Sequence, residues 1–223
     1  YSTFIGYNAG LVHTSGGYNI AIGYGAMDDT NAGNNSLGST ENIFIGVDSG
    51  GGTWADTASS NNVAVGNYTM DAALDGANDN VAIGKHSLGA LTTGDRNVAI
   101  GSGAGDAMTI ATRTVAIGYG ALGTEDVGDR SIAIGFNALH SQNSDSDNET
   151  TGNVGVGVEA GYYNITGVAN TYVGYNSGKG TTSANNNYNT GLGWQSLLKI
   201  QDGGYNVAIG SRSGEDLTTG DFN

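Results

Sequence analysis

Apolar residues in this chain come in short alternating bursts of the form Asn–h–small–h–Gly, with h almost always Val or Ile. Asn80-Val81-Ala82-Ile83-Gly84 returns as Asn97-Val98-Ala99-Ile100-Gly101 and as Asn206-Val207-Ala208-Ile209-Gly210. Looser copies close on Gly6, Gly23, Gly46, Gly66, Gly118, Gly135, Gly157, Gly174 and Gly193, which makes twelve. Strict alternation with β-branched residues predicts a strand at each burst. The polar stretch that follows has its own order. The third residue after the closing glycine is small in every copy, from Ala9 to Ser213, and the fourth is Leu or Met in six copies and Gly in the other six. A turn comes next, written almost identically as Thr92-Thr93-Gly94-Asp95-Arg96 and Thr218-Thr219-Gly220-Asp221-Phe222. Its glycine, three before the next Asn, suits a positive φ. Helical periodicity occurs nowhere.

The closing glycines are 17, 23, 20, 18, 17, 17, 17, 22, 17, 19 and 17 residues apart. A fixed short period is the signature of a repeat architecture. The spacing predicts an all-β fold, a parallel β-solenoid (β-roll or β-helix) of about twelve rungs, each with two short strands and two turns. Every departure from 17 is an addition between the Leu/Met/Gly position and the next Asn, so the long insertions, around Asp28–Glu41, Gly51–Asn61 and His140–Gly152, are Asn/Ser/Asp/Gly-rich loops on one edge. Residues 1–223 form one array without a domain boundary. Neither Tyr1–Gly6 nor Thr218–Asn223 has a capping sequence, which suits an interior stretch of a longer fibre.

Stacking places like residues over like, ~4.8 Å apart. The nearly uniform Val/Ile positions form two ladders, from Thr3 and Ile5 to Val207 and Ile209, and are expected to be buried. The position between them is packed as well. Tyr172 has Gly155 and Gly191 on the neighbouring rungs, and Phe44 lies between Ala21 and Ala64, large against small as close packing demands. A single thin coil cannot cover both faces of a strand, so a partner is expected. Closed symmetry points to a homo-oligomer, with three copies around the fibre axis the preferred arrangement.

Composition narrows the function. Glycine is 40 of 223 residues, proline and cysteine are absent, and seven Lys+Arg against 21 Asp+Glu give a net charge of −14. A chain this acidic gains nothing from phosphate neutralisation, so nucleic acid is not an expected partner. No apolar run reaches the ~18 residues of a membrane helix, so membrane insertion is not expected either. Without cysteine there is no thiolate nucleophile, disulfide framework or zinc–thiolate site.

The Asn-Val-Ala-Ile-Gly block, the following Ala-Leu and the Thr-Thr-Gly turn resemble the head repeats of trimeric autotransporter adhesins. At 17-residue spacing they resemble the repeat regions of bacteriophage tail fibres still more. The resemblance covers essentially the whole chain. It implies a trimeric, fibrous, extracellular protein that attaches to a cell-surface glycan or protein receptor, on a virus tail or a bacterial surface. The stalk or membrane anchor of the adhesins and the C-terminal chaperone domain of many tail fibres are not found in the sequence.

Several ladders carry chemistry in principle. The Asn ladder (Asn19, Asn42, Asn62, Asn80, Asn97, Asn153, Asn170, Asn189, Asn206) reads as structural, amides bonding rung to rung. The residue after the closing glycine is aromatic at Tyr7, Tyr24, Tyr119, Phe136, Tyr175 and Trp194, either a platform for sugar rings or cross-rung packing. Arg96, Arg113 and Arg130 recur one rung apart, in a slot that elsewhere holds Tyr18, Tyr188, Tyr205 and Phe222. They read either as a ladder salt-bridged to Asp95, Asp129, Glu125 and Asp126 or as a site for an anionic glycan. Asp145, Asp147 and Glu149 alternate in the most acidic loop, either solvated or as oxygen ligands for Ca²⁺. Otherwise no cofactor is expected. His13, His86 and His140 fall at different repeat positions, and no nucleophile–base pair is readable, so no catalytic residue is assigned and the chain is not expected to be an enzyme. A polysaccharide-cleaving tailspike is the enzymatic alternative. An ice-binding solenoid is discounted because the threonines are irregular.

Overall fold

The computed structural model describes residues 1–30, 38–144, 146, 149–181 and 184–223. It is a β-solenoid. Twelve three-residue strands, β1 (Thr3–Ile5), β2 (Ile20–Ile22), β3 (Ile43–Ile45), β4 (Val63–Val65), β5 (Val81–Ile83), β6 (Val98–Ile100), β7 (Val115–Ile117), β8 (Ile132–Ile134), β9 (Val154–Val156), β10 (Thr171–Val173), β11 (Thr190–Leu192) and β12 (Val207–Ile209), form one parallel sheet in sequence order. Among the described residues there is no α-helix. The register is the expected one, with Val81 paired to Val98 and Ile83 to Ile100. The insertions do not disturb it, since β2 still pairs with β3 across the longest interval.

Each rung has one strand rather than two. The segment after the closing glycine is a run of turns, because its second and fourth residues adopt positive φ in every rung, as at His86 (56°) and Leu88 (50°). Such alternation precludes a strand, yet rung-to-rung backbone bonds continue through it, for example Gly25 N–H to Tyr7 O at 3.0 Å. The turn glycine also differs from expectation. Gly94 and Gly203 are absent from the positive-φ positions, which fall two residues later, at Arg96 (60°) and Tyr205 (57°). Glycine is needed there for close approach instead. A Cβ on Gly94 would stand 2.3 Å from Ala111 O of the next rung, and one on Gly203 2.5 Å from Gly220 O.

Alternation assigns the faces. The middle strand residue points inward and is buried, as at Ala21, Phe44, Ala82, Ala99 and Tyr172. The Val/Ile residues on either side point outward. Within one chain they do not reach the burial expected of them. Most are half-buried, and Ile83, Ile134 and Leu192 are exposed.

The interior is filled by these middle residues, by the small and Leu/Met positions that follow, and by the Asn ladder. Asn62 Oδ1 accepts the Asn80 N–H and Nδ2, both at 3.1 Å, while Asn80 Nδ2 also donates to Gly94 O at 2.9 Å. Tyr172 is fully buried between Gly155 and Gly191. The choice of Leu/Met or Gly at the fourth turn position has a partial explanation. Where the middle strand residue is aromatic, its ring takes the Leu site. A Cβ on Gly10, Gly50 or Gly178 would lie within 2.7 Å of the ring of Phe4, Phe44 or Tyr172, respectively.

Candidate functional site

Three ladders share the outer face of the sheet: the positive-φ residue before each Asn and the two Val/Ile columns. Within a rung they read Arg96, Val98, Ile100, alternating with the inward Asn97 and Ala99. The ladder beside the Val/Ile columns changes character along the rod. At one end Tyr1 stacks on Tyr18, with centroids 5.9 Å apart, and at the other Tyr188, Tyr205 and Phe222 stack at 4.8 and 4.9 Å. Between them stand Arg96, Arg113 and Arg130.

The salt-bridged reading of these arginines is not met. Among the described residues the ion pairs are Lys179–Glu159, Lys199–Asp216 and Arg212–Glu215. Three of the four carboxylates expected to pair with the arginines are engaged elsewhere, and the fourth, Asp126, is half-buried and in no ion pair among the described residues. Asp95 Oδ1 accepts the Asn78 N–H at 2.7 Å, and Asp129 Oδ1 the Thr112 N–H at 2.6 Å. Glu125 turns into the coil, fully buried, where it accepts from Gly128 N–H (2.7 Å), Gln142 Nε2 (2.6 Å) and Ser144 Oγ (3.1 Å). Arg130 donates to Thr150 Oγ1.

The aromatic column after the closing glycine is broken into patches. Tyr7 stacks on Tyr24 at 5.4 Å, and Tyr119 on Phe136 at 5.5 Å, both nearly parallel. Trp194 carries the Arg212 guanidinium 5.9 Å from its ring centre, and Tyr175 stands on the rung before it. All six rings are exposed. In a single chain they seal no groove, and their edges and outer faces are free to meet a ligand.

Asp145 and Asp147 lie outside the described residues. Glu149 is half-buried.

A groove that the sequence reading missed runs along the turn segments. One stretch of about 340 Å³ is lined by Asp71, His86, Asp106, Gly89 and three alanines. The next, of about 280 Å³, shares His86 and Asp106 and continues past Tyr119, Gly120 and Gly123 to His140. Glycines in its floor leave room for acids on the next rung: a Cβ on Gly89 would sit 2.5 Å from Asp106 Oδ1. Burial, reinforced by the Asp48 carboxylate, pushes Asp71 up to about 6, with His86 opposing. Burial likewise raises Asp106 and lowers His140. His86 stacks on Tyr68, and His140 on Tyr162, each at 5.2 Å. Carboxylates beside imidazole and aromatic rings can accept hydrogen bonds from hydroxyls and exchange protons. The signal was present in the repeat phase. Asp28, Asp71, Asp106 and His140 all stand five residues after a closing glycine, and Asp48 and His86 two after. The two columns become neighbours only once the turn is folded.

No protein-family model, no curated protein and no solved structure matches the chain.

Proposed function

We propose that the chain is a structural and adhesive segment of an extracellular fibre, assembled as a homotrimer, that attaches to a glycan or protein on a cell surface. A virus tail fibre is the first reading and a bacterial surface adhesin the alternative. The observation that carries this is the outer sheet face. Parallel sheets are normally covered on both sides, and here two columns, Val or Ile everywhere but at Thr3, Thr171, Thr190 and Leu192, cross twelve strands on a side left open to solvent. A cover must repeat with the same rise to match it along its length, and another copy of this chain does so. Copies arranged around an axis parallel to the rod bring equal rungs to equal heights and close without leaving an open edge. The exposed aromatic stacks supply flat surface for sugar rings.

Light scattering tests the assembly, with a trimer mass expected. Replacing Ile100 and Ile117 by Asp places charges in the covered face and is expected to give monomer or an unfolded chain. Wild-type chain that runs as a stable monomer sinks the proposal.

One observation favours a polysaccharide-cleaving tailspike as the second reading: two acids with raised pKa, Asp71 and Asp106, flank His86 in one groove. Glycan-array binding without release of shorter sugars supports the adhesin; turnover that Asp71→Asn abolishes supports the tailspike.

A further inference from the structure

We infer that Arg96, Arg113 and Arg130 form a binding strip for a short acidic oligosaccharide, its carboxylate or sulfate groups held by successive rungs. The inference deepens the attachment reading by naming a ligand class, and rests on it only in supposing that partner copies cover the Val/Ile columns and leave the arginine edge of that face open to glycans.

The strip is a product of register. The Arg113 N–H donates to Asp95 O at 3.0 Å and the Arg130 N–H to Thr112 O at 3.1 Å, so the three backbones stand one rung apart, at a rise of ~4.8 Å. Their φ values of 60°, 57° and 63° launch the side chains from the same backbone geometry. All three residues are exposed, and none is ion-paired among the described residues. Three of the chain's seven cations are thus placed side by side, in a molecule of net charge −14. Like charges so close repel unless anions come between them, and the forked guanidinium suits bidentate binding of carboxylate or sulfate.

The flanks set the size of the ligand. The same slot holds Asp79 on the rung before Arg96, and Gly152 and Ala169 on the two rungs after Arg130. The positive ladder therefore ends at an acid on one side and at open steps on the other. Two or three anionic groups fit, on a chain whose uncharged remainder can pass over Gly152 and Ala169. An acidic oligosaccharide has this form, and one extended sugar unit is about as long as a rung is high. Nucleic acid carries a phosphate at every nucleotide and would run onto Asp79 and then Glu41 in the same slot. A second copy of the chain is a poorer partner. Among the described residues at these rungs, Glu125 is buried, Asp126 is half-buried with Oδ1 turned away from solvent, and Asp95 and Asp129 already accept backbone N–H groups, so no matching acidic ladder faces outward.

Calorimetry on the purified chain, with its mass followed by light scattering, tests the strip. The probes are trigalacturonate, a heparin trisaccharide, neutral maltotriose and trithymidylate. Either acidic sugar is expected to bind, with the tighter one identifying the acid class, and to weaken as salt rises. Arg113→Gln is expected to weaken binding about tenfold, and the triple Arg→Gln variant to abolish it. Lys85→Gln is expected to leave it unchanged, and all variants to keep the wild-type circular dichroism and mass. Failure of both acidic sugars to bind overturns the inference, as does a triple variant that binds like wild type or trithymidylate that binds equally well. A triple variant with altered mass places the arginines between copies and overturns it too. A monomeric wild-type chain that still binds through the arginines refutes the trimer and leaves the strip standing.

Discussion

The amide of Asn97 is used at both ends: Oδ1 accepts the Thr114 N–H at 3.0 Å, and Nδ2 donates to Ala111 O at 2.7 Å. Each Asn thus ties its rung to the next at two points, and a buried polar side chain recurs through the core without being left unpaired. This was legible from the sequence, because a polar residue fixed beside two apolar ladders has to be satisfied by its own kind. The inward turn of Glu125 was not. It stands seven residues after a closing glycine, where Leu91 and Met108 stand on earlier rungs, and hydrophobicity alone sends an acid outward. Five donors around the carboxylate reverse that expectation. Asp71 shows the opposite case, an acid raised by burial and by Asp48. Below its ordinary value of 3.8 the carboxyl is protonated whether the chain is folded or not. As pH climbs from there to about 6, the unfolded chain ionises more readily than the folded one, and stability is lost. Asp71→Asn is therefore expected to raise the melting temperature at neutral pH and leave it unchanged at the acid end. Melting followed by circular dichroism across that range checks the sign, and equal shifts at both ends would contradict it.

At the scale of the rung, strand, register and period were all readable, since Val/Ile alternation and the repeat interval leave one alignment. What the sequence hid was the turn. Its left-handed positions carry Gly, Asn or Asp on some rungs but Leu, Met, Tyr or Arg at the same phase on others, which blurs the signal, and the stacked rungs override the local preference of the latter. For the same reason the groove was invisible while the arginine and aromatic ladders were not. Residues at one repeat phase can be aligned by counting, but residues at two phases meet only through the geometry of the turn. Exchange of volume within a rung gives a sharp test. Phe44 fills the site that Leu88 and Leu122 fill on other rungs, packs edge-on against Trp54 at 5.6 Å, and leaves no room for a side chain at Gly50. Position 50 already has the φ that Leu adopts at 88, so Gly50→Leu fails by overpacking, at an expected cost of about 1–3 kcal/mol. Adding Phe44→Ala is expected to recover part of that loss. Urea midpoints measure both, and a double variant no more stable than Gly50→Leu would show that the two sites do not share space.

Across the whole molecule, each rung touches only its neighbours, so length is an adjustable property. Removing Asn97–Arg113 would join Arg96 to Thr114 at the same phase of the repeat and shorten the rod by one step. Expressed and melted, the shortened chain is expected to fold with its sheet intact and with stability reduced by about one interface; failure to fold would mean that the rungs are not interchangeable. The backbone bonds between rungs, from Thr3 N–H to Asn19 O at one end to Val207 N–H to Asn223 O at the other, run along the long axis. Tension on the two ends therefore loads them one rung at a time, in series, instead of shearing many at once. A rod built this way gives under load in discrete steps, each releasing the slack of a 17-residue repeat, ~56–61 Å when fully extended. It would act as a shock absorber in whatever tether contains it.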